Sequence, residues 1–128
     1  QLIYDLIEKE CERVEKLKII QAKFLCYNKK LDLETEIKTI IVRIVQEFIQ
    51  NSIKHSECET ISIVMHSNSG KIVLVLTDDG KGFDPQRRYT NGIGLKNMEK
   101  RVKMLNGTIA LESKLSFGTK ITITLPKE

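Results

Sequence analysis

LETEIKTIIVRIVQEFIQNSIKH, residues 33–55, carries Ile37, Ile40, Ile41, Ile44, Val45, Phe48, Ile49 and Ile53 at three- and four-residue steps. That spacing puts apolar side chains on one stripe of an α-helix. It predicts a helix over 33–55, with Asp32 as N-cap and Thr35 and Glu36 in the first turn. At about 100° per residue with Glu47 at zero, Lys54 falls at about −20°, Asn51 at about +40° and His55 at about +80°. The apolar arc then runs from Ile44 at about +60° round to Ile53 at about +240°. A carboxylate, an amide and two cation-forming groups thus line the border between core and water. On a helix taken alone such a border is commonly a row of i, i+4 hydrogen bonds, so its meaning depends on its surroundings.

Downstream, ETISIVMH (59–66) and KIVLVLTD (71–78) read as two buried strands joined as a hairpin by Ser67-Asn68-Ser69-Gly70. Upstream, Leu2, Ile3, Leu6, Ile7 and Val14 give residues 2–16 the pattern of an amphipathic helix. KIIQAKFLCY (18–27), closed by Asn28-Lys29-Lys30, reads as a strand whose imperfect alternation suits a sheet edge. Periodicity vanishes over 79–92, a loop long enough to expect a functional role. Leu95, Met98, Val102 and Leu105 then mark a helix stopped by Asn106-Gly107, followed by strands at 108–112 and 119–125. In the last strand Ile121, Ile123 and Leu125 alternate with Lys120, Thr122 and Thr124, the pattern of a sheet with one wet face. The expected fold is α+β: a two-layer sandwich with three helices on one face of a mixed, mostly antiparallel five-stranded sheet.

A chain of 128 residues fits one domain, 1–128, with one core. The net charge of +4 is spread along the chain, without the basic stripe and interleaved aromatics of a nucleic-acid binder. A phosphate-bearing small ligand suits it better than a duplex. No apolar run approaches the roughly 18–20 residues that cross a bilayer, so no membrane insertion by this chain is expected. Cys11, Cys26 and Cys58 are widely spaced, and only two histidines accompany them. Reduced, buried thiols in a cytoplasmic protein are expected in place of a disulfide framework or zinc site.

Two further stretches carry chemistry. Asp78-Asp79-Gly80-Lys81-Gly82-Phe83 directly follows a buried strand. Its glycines allow close approach of a ligand to the backbone, and an aspartate at the strand end can accept from an amino group. Asp78 shares the phase of Leu74 and Leu76, whereas Asp79 shares that of Thr77. Taken alone, the stretch could be a plain Asp-Gly turn. Gly92-Ile93-Gly94-Leu95 opens a helix, where free N–H groups and the positive end of the dipole attract anions. It is neither a P-loop nor a dinucleotide fingerprint. Lys54, Arg87, Arg88 and Lys96 are candidates to neutralise phosphate.

In this order the elements resemble the boxes of the ATP-binding domain shared by sensor histidine kinases, gyrase, Hsp90 and MutL. Glu47-x-x-x-Asn51-x-x-Lys54-His55 is similar to the N box, Asp78-Asp79-Gly80-x-Gly82-Phe83 to the first glycine box and Gly92-x-Gly94-Leu95 to the second. Phe117-Gly118-Thr119 is similar to the closing Gly-Thr element. The stretch from Gly92 to Met98, with Arg101 and Leu105-Asn106-Gly107 after it, resembles the bacterial sensor histidine kinase subgroup reading Gly-x-Gly-Leu-x-Asn-Met. The resemblance implies ATP and Mg²⁺ as cofactors, with Asn51 on the metal, Asp78 accepting from the adenine amino group and Thr119 supporting that contact through water. It implies Glu47 as general base or polarising partner of the phosphate acceptor, Lys54 and His55 at the phosphates, and Gly80, Gly82, Gly92, Gly94, Leu95 and Lys96 around the nucleotide. Residues 83–91 would form a short lid.

The family often has Asn where Asp79 stands, so the choice between Asp78 and Asp79 rests on strand phase. Neither His55 nor His66 lies in the helical hairpin that a phosphorylatable histidine needs; His66 reads as a surface strand residue. The implied activity is therefore that of a catalytic module. It transfers the γ-phosphoryl group of ATP to a histidine on a separate dimerisation domain, with a response regulator downstream. A nucleotide-gated interaction module and an anti-sigma-type serine kinase of the same fold are the alternatives.

Overall fold

The computed structural model describes residues 1–82, 93–114 and 116–127. The elements in order are α1 (Ile3–Lys16), β1 (Gln21–Cys26), α2 (Thr35–Asn51), β2 (Thr60–Asn68), β3 (Lys71–Asp78), α3 (Ile93–Met104), β4 (Thr108–Lys114) and β5 (Gly118–Pro126). They form the three helices and mixed five-stranded sheet expected from the sequence.

The strand order is β1-β2-β3-β5-β4, so β1 is indeed an edge. It runs parallel to β2, while the other three pairings are antiparallel. A parallel pair requires a crossover connection, and α2 supplies it. The β2–β3 hairpin closes through Ser69 and Gly70 alone, with Asn68 opposite Lys71. Both turn residues have positive φ, 51° and 78°, which matches the tight loop to the right-handed twist of the strands.

The core lies between the helices and one sheet face. Ile3, Ile7, Ile41 and Ile44 from α1 and α2 are fully buried with Ile61, Met65, Ile72, Leu74, Leu76, Ile123 and Leu125 from the strands. Alternation in β5 is as read: Ile121, Ile123 and Leu125 are buried and the residues between them are not. All three cysteines are buried thiols outside any disulfide. Burial, then nearby acidic side chains of α1, pushes the Cys11 thiol up to about 12.

Several expected boundaries shift. Helix α2 begins at Thr35, with Glu34 and not Asp32 at the N-cap. Leu31 and Leu33 are both buried, and the first helical bond runs from Lys38 N–H to the Glu34 carbonyl, which leaves Asp32 ahead of the helix. Strand β1 starts at Gln21 and not at 18, because Lys18 has φ 56° and turns the chain before the sheet is reached. Helix α3 stops where read: Gly107 N–H donates to the Val102 carbonyl and Asn106 N–H to Lys103, with Asn106 at φ 58°. This is the Schellman arrangement with asparagine in the left-handed position.

Candidate functional site

The largest departure from the sequence reading falls on the helix that opened it. Helix α2 ends at Asn51, and the chain continues as a π-helical turn over Ser52–Ser56, closed by Glu57 at φ 56°. Such turns often occur at functional sites. A projection at constant pitch therefore holds through Asn51 and fails beyond it. Ile53, assigned to the apolar arc, is exposed, and Lys54 and His55 are exposed as well. Glu47 and Asn51 remain together on the half-buried border.

Ser52 takes the inward position that the projection gives to apolar residues: it is 2% exposed, and its hydroxyl donates to Asp78 Oδ2 at 2.9 Å. Sequence reasoning passed over it. The available signal was a polar residue at about +140°, in the middle of the apolar arc.

The two aspartates separate as strand phase predicts. Asp78 is buried, and its Oδ1 accepts from Gly80 N–H at 3.0 Å. Both carboxylate oxygens thus receive a protein donor. Asp79 is exposed and accepts with Oδ1 from the N–H groups of Glu59 and Thr60, at 2.8 and 2.9 Å. These bonds, that of Thr60 foremost, hold its carboxyl below the usual carboxylate range. Asp79 ties the end of β3 to the start of β2.

Register brings the other functional groups to Asp78. Thr119 on β5 lies directly opposite it, and Ser113 on β4 lies directly opposite Thr119. Ser113 and Thr119 hydroxyls are 3.1 Å apart, and Ser113 Oγ donates to the Gly118 carbonyl at 3.1 Å. Asp78, Thr119 and Ser113 make a polar row across the ends of three strands, facing the same way as the core. A cleft of about 570 Å³ opens there, lined by these three residues with Leu111, Phe117 and Gly118 among others. Gly118 has φ 91°, and a Cβ on it would collide with the Asp78 carbonyl. Gly80 is buried, and Gly82 has φ 65°. Ser116 N–H donates to the Lys81 carbonyl, which ties the β4–β5 turn to the glycine segment.

Glu47 has a partner the sequence did not indicate. Arg101 of α3 contacts Oε1 through Nε at 2.9 Å and Nη2 at 2.8 Å, while Glu47 Oε2 is enclosed and has no hydrogen-bond partner among the described residues. Gly94 and Leu95 lie in the first turn of α3, and Lys96 beside them is exposed. Gly92, Phe83, Arg87, Arg88 and the expected lid 83–91 lie outside the described residues. His66 sits on the half-exposed sheet face, its ring edge-on to Tyr27 with centroids 6.3 Å apart. Among the described residues no three His, Cys, Asp or Glu side chains cluster to hold a metal ion, and no helix is long and apolar enough to cross a membrane.

Comparison with known proteins agrees with this geometry. The family of histidine kinase-, DNA gyrase B- and HSP90-like ATPases matches residues 36–128. The signal transduction histidine-protein kinase/phosphatase DegS of Bacillus subtilis is 32% identical over 112 residues, covering 84% of this chain and 29% of DegS. The chain thus spans less than a third of that relative. Among solved structures, the histidine kinase domain of the Erythrobacter litoralis EL346 blue-light activated histidine kinase superposes with a TM-score of 0.83 at 16% identity, over 98% of this chain and 61% of that one. The catalytic domain of histidine kinase ThkA gives 0.78 at 19% identity, over 98% and 90%. At such identities the structural likeness speaks for the fold.

Proposed function

The chain belongs to the family of histidine kinase-, DNA gyrase B- and HSP90-like ATPases, and from that premise we propose that it binds Mg-ATP and passes the γ-phosphoryl group to a histidine on a separate dimerisation domain. The observation that carries the proposal is the buried Asp78 at the end of β3, with Thr119 opposite it at the mouth of a cleft. A carboxylate in that position suits an exocyclic amino group, and glycine at positions 80 and 82 puts no side chain in the way of a flat base that approaches the backbone. In this reading Thr119 supports the adenine contact. Gly92, Gly94, Leu95 and Lys96 serve the phosphates at the start of α3, where free N–H groups favour anions. Exposed Lys54 supplies positive charge from the π-helical turn, and exposed His55 brings a ring N–H donor beside it.

The residues present also suit magnesium. Asn51 is a single neutral oxygen donor on the half-buried border, and Mg²⁺ characteristically takes few protein ligands and completes its octahedron with waters and nucleotide phosphates. When bound, the ion would neutralise phosphate charge; Asn51 orients it. Glu47 would orient or deprotonate the acceptor imidazole. The acceptor domain and a response regulator complete the proposed signalling context, with this chain on its cytoplasmic side.

A second reading, a nucleotide-gated interaction module, has one observation in its favour: Glu47 already spends one oxygen on Arg101 and encloses the other. One experiment separates the two readings. The 128-residue chain is given radiolabelled Mg-ATP and a histidine-bearing helical domain, with nucleotide binding followed by calorimetry. Acid-labile label on the partner, reduced about 10²–10⁴-fold by Glu47→Gln with binding retained, is the expected result. Binding without transfer to any such partner moves the reading to the gated module, acid-stable label moves it to a serine kinase, and no binding at millimolar Mg-ATP ends all three nucleotide readings.

A further inference from the structure

The polar row at the cleft has a direction that follows from counting protons. A serine hydroxyl has one hydrogen and two lone pairs. Ser113 gives its hydrogen to the Gly118 carbonyl, which can only accept. In the 3.1 Å contact between Ser113 Oγ and Thr119 Oγ1 either hydroxyl could donate by geometry alone, and with the Ser113 hydrogen placed on Gly118 the donor is Thr119. The Thr119 hydrogen points along the sheet toward β4, away from Asp78 on β3, because register sets Thr119 between the two. Toward Asp78 and the cleft, Thr119 offers lone pairs. Asp78 offers only lone pairs as well, its oxygens already receiving Ser52 Oγ–H and Gly80 N–H.

We propose that Ser113 is a specificity-determining positioning residue, which fixes Thr119 as an acceptor so that the cleft floor selects a 6-amino purine over a 6-oxo purine. The inference rests on the nucleotide reading of the cleft given above and adds to it the source of discrimination. A 6-amino group brings hydrogens to a floor made of acceptors. A 6-oxo group brings another acceptor, which Thr119 could satisfy only by turning its hydrogen around and abandoning Ser113. Discrimination thus depends on a residue one strand beyond Asp78. Ser113 needs no contact with the base.

The test measures ATP and ITP affinities, each with Mg²⁺, for the full chain and its variants. The parent should favour ATP at least about tenfold. Ser113→Ala frees the Thr119 hydroxyl to donate, so the ATP-to-ITP ratio should shrink about threefold to tenfold, the worth of one hydrogen bond, chiefly because ITP gains. Ser113→Thr keeps the hydroxyl and should restore the ratio. In a Thr119→Val background, Ser113→Ala should leave the ratio unchanged. If Ser113→Ala does not fold, Ser113→Cys, with a much weaker donor, replaces it. A ratio that stays at the parental value, or equal weakening of both nucleotides, overturns the role of Ser113 while leaving the nucleotide reading intact. Equal binding of ATP and ITP by the parent overturns the assignment of Asp78 itself, and no binding of either overturns the nucleotide reading.

Discussion

Asp78 and Asp79 are adjacent and chemically identical, yet a pleated strand sends their side chains to opposite faces. Asp78 is buried at the cleft and Asp79 is an exposed brace on the start of β2. Asp79→Ala should therefore cost stability and not nucleotide selectivity. Two backbone N–H groups lose their acceptor, but water can reach them, so about 1 kcal/mol at neutral pH is expected in urea denaturation. The folded-state pKa of Asp79 is lowered, so its contribution is complete above the unfolded value of about 4 and fades as pH falls through the folded value. The gap between parent and Asp79→Ala should accordingly close below about pH 4. A gap that is constant down to acid unfolding would show that the charge of Asp79 contributes nothing. At this scale the sequence was legible where a side chain's role follows from its own strand's phase. Ser113 was not legible, because its meaning comes from register with Thr119, and register between β4 and β5 is not written in either strand alone.

At the scale of elements, helix α2 was recognisable from its apolar steps, and its ending was not. The apolar steps continue to Ile53, and polar Ser52 inside the arc is the one sign in the sequence that the regular helix is interrupted where the backbone widens. What interrupts it is tertiary: the Ser52 hydroxyl is drawn to Asp78 on β3, 26 residues away. Similarly, Arg101 reaches Glu47 from a helix 54 residues further along the chain. The glycines give this scale its test. Gly70 and Gly118 both have positive φ, 78° and 91°, but a Cβ at Gly70 meets open space while one at Gly118 meets the Asp78 carbonyl. Gly70→Ala should cost only backbone strain, about 1 kcal/mol, and leave nucleotide binding unchanged. Gly118→Ala must push β5 from β3 where Asp78 faces Thr119, so it should weaken nucleotide binding by at least about tenfold, beyond any loss of stability. Calorimetry on both variants decides, and equal binding would mean that the strand ends can separate without disturbing the cleft.

Across the whole molecule, the helices cover one sheet face, and the cleft opens where that covered face runs out, at the ends of β3, β5 and β4. Architecture and site share strands and the side chain of Leu111, but the polar row and the mid-strand core are made of different residues, and their energetics should separate. Ile123 is fully buried in mid-strand, opposite Leu74 on one side and Ile109 on the other. Ile123→Val removes one methyl group from this packing, with an expected loss of about 0.5–1.5 kcal/mol. Asp78→Asn keeps the volume at the cleft but replaces one acceptor with a donor. A ligand that binds only the folded chain stabilises it by RT ln(1 + [L]/Kd), about 2.7 kcal/mol at a hundred times Kd. Denaturant unfolding with and without Mg-ATP should show Ile123→Val with a lowered baseline and the parental nucleotide increment. Asp78→Asn should show a baseline close to the parent and most of the increment gone. If Ile123→Val also loses the increment, the cleft is maintained by the packing of the entire sheet. The polar row would then be a consequence of that packing, and single substitutions within it could not be read as changes in recognition.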